Sequence, residues 1–155
     1  MLCLNVFIIL NIGKVPYNTD VHINGCILPV VTHTRDLGVI VSSDLSPSVH
    51  IIDIVFKAHQ RAGLILHTFI SRDIHLLMRS FLGNVRPVVE YNSIIWSPST
   101  ARNINALESA QRRFTKRLPT LKNLSYRERL KCLNIIISLI QLRTSTTPDR
   151  FVLVL

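Results

Sequence analysis

The hydrophobic pattern of this 155-residue chain changes period once, at Ser46-Pro47, and that change limits the possible folds more than any other feature. Before it, β-branched runs alternate with turn residues: Val21-His22-Ile23, Asn24-Gly25, Ile27-Leu28-Pro29-Val30-Val31, then Leu37-Gly38-Val39-Ile40-Val41. Asn-Gly between apolar runs signals a hairpin, because both residues accept the positive φ of a two-residue turn. Pro29 has no N–H to give to a ladder, which places its strand at a sheet edge. The run 37–41 reads as a further strand. After Ser46 the apolar residues recur at steps of three and four, the helical period. The expected fold class is therefore α+β: a small β-rich segment with a hairpin over residues 1–45, a mostly helical bundle over 46–143 and a divergent tail over 144–155.

Within the helical part, Ser46 is an N-cap with Pro47 in the first turn, where its missing N–H costs nothing. Over residues 49–70 the polar positions His50, Asp53, Lys57, Gln60/Arg61 and His67/Thr68 leave a wide apolar face, so the helix is expected to be mostly buried. A second helix is expected over 73–82, and Arg86-Pro87 kinks it or starts another that ends near Trp96. The clearest pattern starts at Ser99 or Thr100 and stops at Pro119, with Ile104, Leu107, Ala110, Phe114 and Leu118 on one side. Ser125 with Glu128 three residues later forms a capping box for a fourth helix, and residues 135–142 form a fifth element. The segment 144–148 reads as loop.

The opening run, residues 2–10, has no basic leader and no small-residue cleavage site, and it is shorter than the roughly 20 residues a membrane span needs. It is expected to be a buried strand or the edge of one. Cys3, Cys26 and Cys132 are odd in number and far apart, which fits a reducing, intracellular location, nuclear or cytoplasmic, and no disulfide or zinc framework.

Charge is the second constraint. The net charge is +9, yet residues 1–55 hold two cations against four carboxylates, a net of −2, so the remainder carries +11. A basic half set among helical core residues points to a polyanionic partner, nucleic acid ahead of membrane; a solvated basic face is the alternative. Arg112, Arg113, Lys116 and Arg117 follow an i, i+1, i+4, i+5 spacing, so all four project from one side of their helix across two turns. Such crowding destabilises the helix unless an anion or solvent relieves it. Arg127, Arg129 and Lys131 extend the basic set on the next helix. Tyr91, Trp96, Phe114 and Tyr126 are candidate stacking platforms, although Phe114 and Trp96 sit at core spacing.

Catalytic chemistry is not visible. Two-metal nucleotidyl transfer requires adjacent carboxylates, and no Asp-Asp, Asp-x-Asp or Glu-x-Glu occurs. His22, His33, His50, His59, His67 and His75 are scattered, with no His-x-x-x-His pair, and neither a phosphate-binding loop nor a nucleophile elbow is present.

The order of segments resembles a known family. Asn24-Gly25, Arg35-Asp36-Leu37-Gly38-Val39, Val85-Arg86-Pro87-Val88-Val89-Glu90-Tyr91, Ile95-Trp96-Ser97-Pro98, Leu107-Glu108-Ser109-Ala110-Gln111-Arg112-Arg113-Phe114-Thr115 and Leu124-Ser125-Tyr126-Arg127-Glu128-Arg129-Leu130 follow one another as in the region after the active site of non-LTR, jockey-like retrotransposon reverse transcriptases. The resemblance covers roughly residues 4–142. It implies a primer-grip hairpin at Leu37, Gly38 and Val39, where glycine permits close backbone approach or marks a bulge. It implies that the helical bundle is thumb-like and holds a template–primer duplex, RNA–DNA or DNA.

The departures from that pattern are specific. The aromatic-x-Asp-Asp motif and the first catalytic Asp are expected before Met1, so the chain is expected to be a non-catalytic fragment without a cofactor of its own, Mg²⁺ belonging to the complete polymerase with its palm and fingers. Where the family carries a Lys-Cys pair, Leu4-Asn5-Val6 runs directly on to Gly13-Lys14. The segment 138–143 and the tail diverge, as in a decayed or partial copy. Two other readings stand beside this one: an inert relic, and a helical protein-binding adaptor.

Overall fold

In chain order the strands are β1 (Ile9–Leu10), β2 (His22–Ile23), β3 (Cys26–Ile27), β4 (Val30–Val31), β5 (His33–Asp36) and β6 (Val39–Ser42). The helices are α1 (Ser48–Thr68), α2 (Ile74–Asn84), α3 (Arg86–Glu90), α4 (Ala101–Lys116) and α5 (Tyr126–Cys132). The protein is α+β, with small strands first and helices after. This computed structural model describes residues 7–13 and 20–133. The expected element over 135–142, the tail, Lys14 and the start of the opening apolar run lie outside the described residues. The chain divides into two compact units, Met1–His50 and Ile51–Leu155, and the boundary falls inside the first turn of α1.

The first unit is built from three two-stranded sheets. β2 and β3 pair antiparallel, with Ile23 opposite Cys26, so Asn24-Gly25 is the whole loop; their φ values of 50° and 78° are those the hairpin requires. β5 and β6 repeat the design with Asp36 opposite Val39. Here the expected strand over 37–41 is corrected: Leu37 (φ 44°) and Gly38 (φ 85°) are the loop itself, and the strand begins at Val39. β1 lies parallel to β4 and the Ile9 N–H donates to the Pro29 carbonyl at 3.0 Å. Of the opening apolar run, Ile9 and Leu10 are only half-buried while Phe7 and Ile8 are exposed, which falls short of a buried strand. His50 is 1% exposed, and its Nδ1 accepts from the Ile40 N–H at 3.2 Å, which leaves the ring proton on Nε2 of the neutral imidazole.

The second unit is helical, and its helix starts are explicit in the sequence. The Ser46 hydroxyl accepts from the Ser48 N–H, Asp73 from His75, Thr100 from Asn103, and Ser125 from Glu128 while the Glu128 carboxylate accepts from Ser125. Each side chain meets a backbone donor that a helix start leaves without a partner. The Ser125 contacts also hold the Glu128 carboxyl below its ordinary range. α3 is shorter than the sequence pattern implied: it ends at Glu90, because Asn92 adopts a left-handed φ of 51° and turns the chain before Trp96.

On α1 the buried residues Ile51, Ile54, Ala58, Ala62 and Ile65 form one stripe, and the core continues through Leu77, Met78 and Phe81 of α2 and Leu107, Ala110 and Phe114 of α4. Phe81 and Phe114 stack with ring centroids 4.4 Å apart. Trp96 is buried and its indole N–H donates to the Tyr91 carbonyl at 2.7 Å. The expectation that α1 would be mostly buried is corrected: Ile52, Phe56 and Leu64 lie on the opposite side of the cylinder and are exposed. At 100° per residue they fall roughly 100–220° from Ile51, outside the arc one packed stripe can cover.

Candidate nucleic-acid interface

The α4 cations divide between two environments. Burial of Leu107, Ala110, Gln111, Phe114 and Thr115 points one face of α4 inward, which turns Arg112, Arg113, Lys116 and Arg117 outward; all four are exposed. Arg112 is nonetheless engaged. Its Nη2 lies 3.2 Å from Oε2 of Glu108, one turn back, and its guanidinium sits over the Tyr126 ring at 4.9 Å. Pairing with a nearly buried carboxylate and a ring removes much of its capacity for an outside anion.

Arg129 reaches the same ring from α5. It is 4% exposed, its Nη1 donates to the Leu124 carbonyl at 3.4 Å and its guanidinium lies 5.6 Å from the Tyr126 centroid. The Tyr126 hydroxyl and Arg129 Nε are buried without a hydrogen-bond partner among the described residues. Burial, and then Glu108, push the Tyr126 phenol above its ordinary range, with Arg112 and Arg129 pulling the other way. Tyr126 thus joins α4 to α5 as a packed polar knot and is no open platform for a base. Arg127 and Lys131 remain exposed on α5.

Arg113 and Arg117 face α1. They line a cavity of about 120 Å³ with His59, Ala62, Gly63, Leu66, Ala110 and Phe114. There His59 Nε2 lies 3.1 Å from the Ser109 hydroxyl, which donates its own hydrogen to the Ala106 carbonyl at 2.6 Å. A hydroxyl has one hydrogen, so it must accept from the Nε2–H of His59. Burial first, and the Arg113 charge second, hold the His59 pKa below 6.5.

Lys116 and Arg117 also border a larger open groove of about 730 Å³, lined as well by Gly63, Leu66, His67, Phe69, Ile70, Arg72 and Lys122. Four permanent cations from three segments meet there, and among the described residues no carboxylate lines it. Ion pairs such as Lys57–Asp53, Arg86–Glu90 and Arg112–Glu108 lie elsewhere among the described residues and include none of these four cations. Asp73, next to Arg72, is occupied as the α2 N-cap. Lys116 and Arg117 sit at the C-terminus of α4, where the helix dipole favours cations.

The candidate residues of the sequence are therefore only partly brought together. Lys116 and Arg117 share the groove, Arg113 lines the smaller cavity beside α1, Arg127 and Lys131 are exposed on α5, and Arg112 and Arg129 are tied to Tyr126. Leu37, Gly38 and Val39 belong to the first unit: the hairpin tip is exposed at Leu37, Arg35 Nη1 donates to the Gly38 carbonyl at 3.2 Å, and Val39 is buried. Gly38 serves the turn, where its φ of 85° is required. Sequence reasoning did not place Arg72, Lys122, His67 and Phe69 at a site: His67 was read only as a polar position of its helix, and the other three stand in connecting segments without periodic signal. The trace of Arg72 and Lys122 in the sequence is the same excess of positive charge.

Among the described residues no group of three or more His, Cys, Asp or Glu is placed to hold a metal ion, and no helix is long and apolar enough to cross a membrane. Cys26 and Cys132 are free thiols. Compared with protein-family models, curated proteins and solved structures, the chain matches none.

Proposed function

We propose that this chain is a non-catalytic part of a non-LTR retrotransposon reverse transcriptase that holds template–primer nucleic acid through its basic, thumb-like helices inside the cell. The observation that carries this reading is the run of outward cations on α4, Arg113, Lys116 and Arg117, continued by Arg72 and Lys122 around a groove that no carboxylate among the described residues lines. Cations without ion-pair partners are held close together against their own repulsion, and a phosphate backbone relieves it while releasing counterions. The segment order that resembles those polymerases supports the same reading. Holding a duplex in this way needs no cofactor; Mg²⁺ belongs to the catalytic carboxylates of the complete enzyme.

The test is a fluorescence-anisotropy titration of a labelled RNA–DNA duplex at about 50 and 200 mM salt, with the wild type and an Arg113/Lys116/Arg117→Ala variant. Affinity that falls steeply with salt and collapses in the variant supports the reading, and a folded wild-type chain that does not bind removes it. One observation favours a second reading, an inert relic or protein-binding adaptor: Ile52, Phe56 and Leu64 lie exposed along one side of α1. Concentration-dependent association in sedimentation, without nucleic-acid affinity, would favour that alternative.

A further inference from the structure

We infer that the groove at the C-terminal ends of α1 and α4 takes an unpaired nucleotide of a single strand, with its phosphates on Arg72, Lys116, Arg117 and Lys122 and its base against Phe69 and Ile70. The inference rests on the nucleic-acid reading above and specifies the form of ligand at this one place.

Three features carry it. The first is convergence: the cations come from the segment after α1, the end of α4 and the segment before α5, and they border one space of about 730 Å³. That lies within the roughly 300–1,000 Å³ of sites for small organic groups, room for a nucleotide and not for a duplex. The second is the apolar side of the same space. Phe69 is half-buried and Ile70 is 96% exposed, so apolar surface stands open beside the cations. A duplex presents phosphates and sugars at its surface and keeps its base faces stacked inside, so it offers such a shelf little to bury against. A single strand offers both, phosphate for the cations and a base face for the ring, the combination used wherever unpaired strands are gripped without regard to sequence.

The third is the absence of competition. Among the described residues no carboxylate lines the groove, and the adjacent Asp73 accepts from the α2 N-terminus. A membrane contact calls for a continuous apolar helix face lying flat between flanking cations, whereas here the cations turn toward a cavity.

The experiment compares three fluorescent probes on the full chain: a short oligothymidylate, the same backbone with abasic sites, and a blunt hairpin duplex. The wild type should bind the abasic strand roughly 5- to 100-fold more weakly than oligothymidylate, the effect of losing one stacked base. Phe69→Ala should reproduce that loss on oligothymidylate and leave the duplex unchanged, and Arg72→Ala/Lys122→Ala should weaken oligothymidylate binding. Since the abasic comparison uses the wild-type chain, it decides the matter even if Phe69→Ala does not fold. Equal affinity for abasic and base-bearing strands overturns the inference, as does binding to phosphatidylserine vesicles with none to oligothymidylate. If the duplex still binds and loses affinity in the α4 variant, only this inference falls. If no probe binds the folded chain, the nucleic-acid reading falls with it.

Discussion

Leu37 holds a left-handed backbone conformation, φ 44°, at an exposed hairpin tip, and a side chain with a Cβ adopts that region at a cost of about 1–2 kcal/mol. Leu37→Asn should therefore raise stability by about 1 kcal/mol in urea unfolding, because asparagine tolerates the turn and little burial is lost. A fall in stability would mean that Leu37 is covered by a contact outweighing the strain. Arg129 makes the opposite case. It reads as a surface cation in the sequence, yet it is buried against Tyr126 and bonded to the Leu124 carbonyl. Arg129→Ala should cost about 1–3 kcal/mol by leaving a void and a bare carbonyl, while duplex affinity in the anisotropy titration stays within about twofold of wild type. Charge alone does not separate Arg129 from Arg127; burial does.

Between elements, His59 of α1 donates to Ser109 of α4 from a site that disfavours its charged form. His59 is held below 6.5 by burial and by Arg113, so between its depressed folded value and 6.5 the unfolded chain binds more protons than the folded one. The stabilisation is therefore complete above about pH 6.5 and is lost as pH falls through the folded value. Thermal unfolding followed between about pH 7.5 and 5 should show the midpoint falling, and His59→Gln should make that fall shallower. A midpoint whose pH dependence is the same in both proteins would show that His59 is protonated alike in the folded and unfolded chains. The elements themselves were largely legible: the caps at Ser46 and Ser125, the helix starts near Asp73 and Thr100, the hairpin at Asn24-Gly25 and the end of α4 before Pro119 all follow from local chemistry that needs no distant partner. The second hairpin was expected only from the family resemblance, since Leu-Gly carries no turn signal of its own and its residues read locally as one strand. The stop of α3 at Glu90 was hidden because asparagine is compatible with both helix and left-handed turn.

For the molecule as a whole, the net charge of +9 makes affinity for a polyanion a function of salt. A log–log plot of duplex affinity against salt should be linear, and Lys116→Ala/Arg117→Ala should flatten its slope by about 2, since each phosphate contact contributes about 0.9. An unchanged slope would place these two cations outside the interface. The sequence by itself determined the fold class, the change from strands to helices at Ser46-Pro47, the outward stripe of cations on α4 and the excess of positive charge after residue 55, because periodicity, capping and composition act within a few residues. Only the tertiary structure decided which cations remain available. Packing α5 against α4 ties Arg112 and Arg129 to one tyrosine ring, and the segments after α1 and before α5 bring Arg72 and Lys122 to Lys116 and Arg117. Residues about 45 positions apart, as Arg72 and Lys116 are, become neighbours only when the helices pack, and burial then ranks charges that the chain presents as equals.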